Sequence, residues 1–179
     1  IDKKRILDYE YNIHNLDDKK IIIVRSGIGK VNSAICTQVL IDRFNVNCVI
    51  NTGVAGAISK KLEIGDIVLS SETMQYDVDV TSFGYKLGQI PRMGENYIFK
   101  SSELLISKSE EIIKEKGYKY YIGQIVSGDC FVGSNEKKNW ILKNFNAMCV
   151  DMESGSIGHV CNLNKIPYIA VRCISDTSD

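Results

Sequence analysis

The chain has 179 residues, with Lys plus Arg and Asp plus Glu at 22 each, so its formal net charge is zero. That length suits one domain with a sizeable core, and the balanced charge gives no reason to expect a nucleic-acid or anionic-membrane partner. No apolar run is long enough to span a bilayer, and neither His14 nor His159 shows metal-ligand spacing, so no metal site is expected.

Six cysteines are present: Cys36, Cys48, Cys130, Cys149, Cys161 and Cys173. None forms a Cys-x-x-Cys pair and most sit in apolar runs, which reads as buried free thiols in a reducing, cytoplasmic compartment. The sequence starts at Ile1 rather than Met and stops at Asp179, where a helix would begin, so further residues are expected at both ends.

Tyr9 to His14 alternates as a half-buried strand does. Asn15 to Lys20 is a polar turn, and Ile21 to Val24 is a continuous β-branched run that suits a buried strand. Ser26-Gly27-Ile28-Gly29-Lys30 then leads into a predicted helix from Val31 to Phe44. A glycine turn between strand and helix invites comparison with a phosphate loop. That pattern needs wider glycine spacing and a Ser or Thr after the Lys, where Val31 stands, so a tight strand-to-helix turn is the better reading.

Cys48 to Asn51 is a short strand that opens into Thr52-Gly53-Val54-Ala55-Gly56-Ala57. Small residues there suit either a packed turn or a ligand lying close to the backbone. Ile67 to Ser70 is the next strand. The order strand, glycine turn, helix, strand, glycine turn argues for an α/β sheet. Glu72 to Gly94 is long and irregular, and such loops usually carry function or contacts.

Ser101-Ser102-Glu103 caps an amphipathic helix that runs to Lys116 and stops at Gly117. Tyr121 to Val126 is a strand, followed by Ser127-Gly128-Asp129-Cys130-Phe131-Val132-Gly133. Phe131 in that loop either stacks on a planar ligand or plugs the core. Asn135 to Phe145 and Gly155 to Asn164 read as helices, and Tyr168 to Ile174 as the last strand.

Two apolar runs end in carboxylates, Ala147 to Glu153 and Tyr168 to Asp176. In an open α/β sheet, chemistry collects beyond the carboxyl ends of the strands. Asp151 and Glu153 would share a face on a strand and point apart on a helix. Each acid also has a plain structural reading, at a helix N-terminus or as an N-cap. Arg172, inside an apolar strand, needs an anionic or polar partner.

Seven blocks occur in order: Ser-Gly-Ile-Gly-Lys, Asn-Thr-Gly-Val-Ala-Gly, Gly-Asp-Ile-Val, Asp-Val-Thr-Ser-Phe-Gly-Tyr, Val-Ser-Gly-Asp-Cys-Phe, Val-Asp-Met-Glu and Val-Arg-Cys-Ile-Ser-Asp. Together, from about Tyr9 to Asp179, they resemble the 5′-methylthioadenosine/S-adenosylhomocysteine nucleosidases, a branch of the purine nucleoside phosphorylase superfamily. The resemblance implies a three-layer α/β/α sandwich around a central mixed sheet, as a single domain lacking its N-terminal strand and C-terminal helix. It implies a homodimer that hydrolyses the N-glycosidic bond of adenine thionucleosides without metal or organic cofactor.

Asp176 matches the general acid that protonates the purine at N7, with Ser175 orienting it. Glu153 matches the ribose-binding carboxylate, whose charge also favours the developing ribosyl cation. Met152 would pack on the sugar, Phe131 would stack on adenine, and the Val132 backbone would read the base edge. Ala55 and Gly56 would let the ligand lie close, and Arg172 would stand near the attacking water. Val80, Phe83 and Pro91 would cross the dimer and cover the 5′-thio tail of the neighbouring site.

Three departures are visible. The family's water-activating Glu belongs to an N-terminal Gly-Ala-Met…Glu block that this sequence does not contain, so no general base is named, and the closing C-terminal helix is likewise not in the sequence. Third, Val54 stands where many members carry Ser; Asp151 in place of the common Glu is conservative and leaves the charge unchanged. The rival readings are a phosphorylase of the same superfamily and a non-catalytic adenosine-binding module.

Overall fold

The computed structural model describes residues 2–177. Its first unit is an antiparallel meander of β1 (Asp2–Ile6), β2 (Tyr9–Leu16) and β3 (Lys19–Val24). The alternation at Tyr9–His14 correctly marks β2, but β1 carried too little apolar pattern to be expected. The continuous run in β3 is not a fully buried strand. Ile22 and Val24 pack inward, while Ile21 and Ile23 are exposed on the other face. Helix α1 (Lys30–Phe44) covers the inner face, with Cys36 and Phe44 against Tyr11.

The remaining elements are β4 (Val49–Ala57), β5 (Ile67–Gln75), a single 3-10 turn (Thr81–Phe83), β6 (Phe99–Lys100), α2 (Glu103–Lys116), β7 (Tyr120–Ser127), α3 (Asn135–Asn144), β8 (Ala147–Asp151), α4 (Ser154–Asn164) and β9 (Tyr168–Asp176). Six strands form a mixed sheet in the order β6-β5-β7-β8-β4-β9. The parallel pairs are β5–β7, β7–β8 and β4–β9, while β4–β8 and β5–β6 are antiparallel. This is the expected α/β arrangement of a mixed sheet with helices. A further antiparallel pairing of Ile67–Leu69 with Val171–Cys173 closes the sheet on itself. Ala55, Val68, Ile125, Cys149, Ala170 and Ile174 fill one packed cluster on this sheet, and Ile113 of α2 packs with Leu69 and Ile169.

Strand β4 corrects the expected glycine turn, because the strand continues through Gly53 and Gly56 to Ala57. Glycine is disfavoured in strands, so sequence pattern argued for a turn. Here the missing side chains leave room for neighbours. A Cβ on Gly53 would collide with the Arg172 guanidinium, and one on Gly56 would lie 3.1 Å from Asp176 Oδ1. Strands β5 and β9 also outrun their predicted ends, to Gln75 and Asp176. Pairing to β7 as far as Ser127, and to β4 as far as Gly56, carries them there.

The expected caps on α2 are present: Ser102 Oγ accepts from Leu105 N at 3.5 Å, and Gly117 takes the left-handed conformation. The long segment after β5 is anchored by Tyr76, Leu87, Ile90 and Tyr97, packed with Trp140 and Phe145. All six cysteines are free, but only Cys36, Cys149 and Cys161 are buried. Cys48, Cys130 and Cys173 are exposed, which corrects the reading of all six as core thiols. Cys173 alternates outward on β9 between buried Arg172 and Ile174. Among the described residues no helix is long and apolar enough to cross a membrane.

Candidate active site

Ser127, Asp151 and Asp176 are the last residues of β7, β8 and β9. The site therefore collects at strand ends, where a sheet of this kind places its chemistry. Glu153 follows Asp151 as the N-cap residue of α4. Asp151 and Glu153 thus sit on either side of a strand-to-helix junction, and their carboxylates serve different partners.

Asp151 is the buried partner that Arg172 requires. Arg172 Nε donates to Asp151 Oδ2 at 2.6 Å, with the two side chains 3% and 1% exposed. Arg172 Nη2 donates to Asn51 Oδ1 at 2.5 Å and to Ser154 Oγ at 3.0 Å. Asp151 also accepts from Ser127 Oγ at 2.5 Å, from the Ser154 hydroxyl, and from the Glu153 and Ser154 amides at 3.2 and 3.1 Å. Its carboxylate therefore caps α4 from the preceding strand and neutralises the guanidinium at once. An ion pair this dry persists only because its remaining donors and acceptors are satisfied in this way. Burial, and secondarily the Asp151 charge, push the Cys149 thiol upward, so this sulfur stays protonated.

Glu153 turns the other way. Its Oε1 accepts from Gly29 N at 2.9 Å, and its Oε2 lies 3.8 Å from Arg172 Nη2. Met152, between the two acids, is half-buried. Asp176 sits across Gly56, where the β4–β9 register skips between Ala55 and Gly56. Such a bulge re-aims the side chain that follows it. Ser175, the residue passed over, donates to Asp176 Oδ2 at 3.0 Å and to Ala55 O at 3.4 Å.

Phe131 does not plug the core, because it is 75% exposed. The core position in that loop belongs to Val132, which is buried. Gly56 therefore has Asp176 beside it, and Ala55 before it is buried. Val54 is exposed. In the long segment after β5, Val80 is half-buried, Pro91 is exposed and Phe83 is 81% exposed.

Sequence reasoning missed the residues that hold this arrangement. Asn51, Ser127 and Ser154 complete the Arg172–Asp151 network. Gly29, Lys30, Asp77 and Asp129 meet beside Glu153. The visible signal was the Ser26–Lys30 motif, whose partners lie 47 to 124 residues away. Among the described residues no group of three or more His, Cys, Asp or Glu side chains is placed to hold a metal ion.

The phosphorylase superfamily model matches residues 3–179 of this chain. A 5′-methylthioadenosine/S-adenosylhomocysteine nucleosidase of Staphylococcus haemolyticus is 44% identical over 165 residues, covering 92% of this chain and 72% of that protein. A Helicobacter pylori enzyme of the same name, solved as a variant with 5′-methylthioadenosine in the active site, superposes with a TM-score of 0.94 at 32% identity. That match covers 99% of this chain and 76% of the other. A Helicobacter pylori futalosine hydrolase superposes equally well, with a TM-score of 0.94, 34% identity, and coverage of 99% and 76%. The chain belongs to the 5′-methylthioadenosine/S-adenosylhomocysteine nucleosidase family of the phosphorylase superfamily.

Proposed function

We propose that Asp176 and Glu153 divide the cleavage of an adenine thionucleoside between them. The activity is that of the family: hydrolysis of the N-glycosidic bond of 5′-methylthioadenosine and S-adenosylhomocysteine, releasing adenine and the 5′-thio-ribose. As the C1′–N9 bond lengthens, positive charge grows on the ribose and negative charge on the purine. Asp176 gives a proton to N7, so adenine leaves neutral; the oxygen of water bonds to C1′, and the proton that water sheds passes to solvent, from which Asp176 is reprotonated. Ser175, which already donates to Asp176, keeps that carboxyl turned toward the base.

Glu153 accepts from the sugar hydroxyls, and its charge favours the cation that forms beside it. Arg172 stands near the water's approach with its guanidinium held by Asp151 and Asn51. Phe131 stacks on adenine, the Val132 backbone reads the base edge, Met152 packs on the sugar, and Ala55 and Gly56 form the floor. Val80, Phe83 and Pro91 reach a neighbouring protomer in a homodimer, and the protein works in the cytoplasm without a metal or organic cofactor.

The observation that carries this reading is the bulge at Ala55–Gly56, which sets a carboxyl against bare backbone at a strand end. Gly56 adds no side chain of its own beside that carboxyl. The similarity to a futalosine hydrolase is a specific reason to keep the group at the ribose 5′ position open. Product analysis tests the reading. Free 5′-methylthioribose in the presence and absence of phosphate is expected. Methylthioribose 1-phosphate as the product would replace the hydrolase with a phosphorylase, and ligand binding without adenine release would replace it with a binding module.

A further inference from the structure

The Ser26–Lys30 turn lacks the phosphate-loop pattern, yet three separate segments converge on it. Gly29 N donates to Glu153 Oε1 at 2.9 Å, and the next amide, Lys30 N, donates to Asp129 Oδ1 at 2.7 Å. Asp129 N in turn donates to Asp77 Oδ2 at 3.0 Å. Lys30 Nζ closes the ring on Asp77 Oδ1 at 2.7 Å, with the two side chains 18% and 26% exposed. The partners come from the N-cap of α4, the segment after β5 and the loop after β7.

The geometry leaves little freedom at the centre of this ring. Gly29 has φ of 91°, a conformation that L side chains rarely adopt, and a Cβ there would lie 3.0 Å from Asp129 Oδ1. The helix that follows has no side-chain cap of its own. Asp129 therefore supplies a negative group to the start of α1 from another loop. Ser33 and Ser156, joined hydroxyl to hydroxyl at 2.6 Å, tie α1 to α4 behind the turn. The peptide that carries Gly29 N is thus fixed on both sides.

We propose that Lys30, Asp77 and Asp129 form a clasp that positions Glu153, and that this clasp sets affinity for the sugar rather than for the base. The inference rests on the ribose-binding role of Glu153 given above. With Oε1 anchored by the Gly29 amide, Oε2 is the oxygen left to accept from a hydroxyl. Arg172 Nη2, 3.8 Å away, is too distant to hydrogen-bond it. If the clasp opens, the Gly29 amide drifts and Glu153 must be ordered by the ligand itself. A clasp that served only to cap α1 would affect folding and treat all ligands alike.

The test is calorimetric binding of 5′-methylthioadenosine and of free adenine to the full-length protein in an Asp176→Asn background, which prevents turnover. Asp129→Ala is expected to weaken methylthioadenosine binding by about tenfold, the usual scale for a lost charge-assisted hydrogen bond. Adenine affinity is expected to stay within about twofold, inside the usual error of additive, uncoupled changes. Asp129→Asn, which keeps an acceptor for Lys30 N, is expected to restore most of the loss. Lys30→Met removes the ammonium and keeps both carboxylates, so it carries the same comparison should Asp129→Ala not fold. Equal losses for methylthioadenosine and adenine would overturn the clasp in favour of a purely structural cap. Methylthioadenosine binding by the clasp variants as tight as by their parent would overturn it alone, whereas a parent that binds no methylthioadenosine would overturn the ribose reading along with it.

Discussion

The two carboxylates of the site are held in different ways. Glu153 is fixed by an amide from a distant turn, by its own backbone bond to Asp151, and by the start of α4. Asp176 ends a strand, receives a hydroxyl from its neighbour Ser175, and faces the bare backbone of Gly56. On the roles proposed above, the ribose end of the site is arranged before ligand arrives, its carboxylate already anchored by the Gly29 amide. The end proposed for the base is open at Phe131, whose ring is exposed to solvent. An enzyme that stabilises a sugar cation gains most from fixed charge near the sugar, because preorganised groups need not reorganise during reaction. A base that must enter and leave gains from an open floor.

That contrast can be broken from either side. Arg172→Met should have the largest effect on stability. It strands Asp151, 1% exposed, without its counter-charge, and such losses run to about 3–5 kcal/mol. Chemical denaturation should show the drop, whereas Ser175→Ala at the open end should leave the midpoint nearly unchanged. Asp176→Asn should leave stability intact and reduce adenine release by roughly 100- to 10,000-fold, the span of a lost general acid. A stopped assay for free adenine measures it.

Phe131→Ala should weaken adenine binding by about 0.5–1.5 kcal/mol, the usual worth of a ring contact, with no change in thermal midpoint because the ring is already exposed. The smallest effect concerns His159, on α4. It stacks on Phe99 with ring centroids 4.9 Å apart, and burial holds its pKa below the ordinary 6.5. A depressed histidine contributes stability that is complete above pH 6.5 and is lost as pH falls through the folded value. Urea unfolding at pH 7.5 and pH 5.5 should show this loss, and His159→Phe should reduce it.

Much of this contrast was readable in advance, and the unreadable part has a physical cause. Short apolar runs ending in Asp151, Glu153 and Asp176 marked the strand ends, because burial and period are local properties. The caps at Ser102 and Gly117 were legible for the same reason. The continuation of β4 through Gly53 and Gly56 was not, since the room those glycines leave is used by Arg172 and Asp176 from another strand. The outward face of β3 was hidden by a composition that suits burial on both faces. The anchoring of Glu153 by Gly29 joins residues 124 apart, and no local pattern records such a contact. At the open end Phe131 is legible in sequence only as a choice between ligand and core, and its exposure excludes the core.

The most direct test sets the two carboxylates side by side. Binding of 5′-methylthioadenosine and of adenine should be measured by calorimetry for Glu153→Gln and Asp176→Asn proteins. The division of labour proposed here predicts that Glu153→Gln loses affinity for methylthioadenosine and keeps it for adenine. It predicts that Asp176→Asn holds methylthioadenosine without cleaving it. If Glu153→Gln weakens both ligands equally, or if Asp176→Asn still releases adenine at the parent rate, the assignment of sugar to one carboxylate and base to the other is wrong.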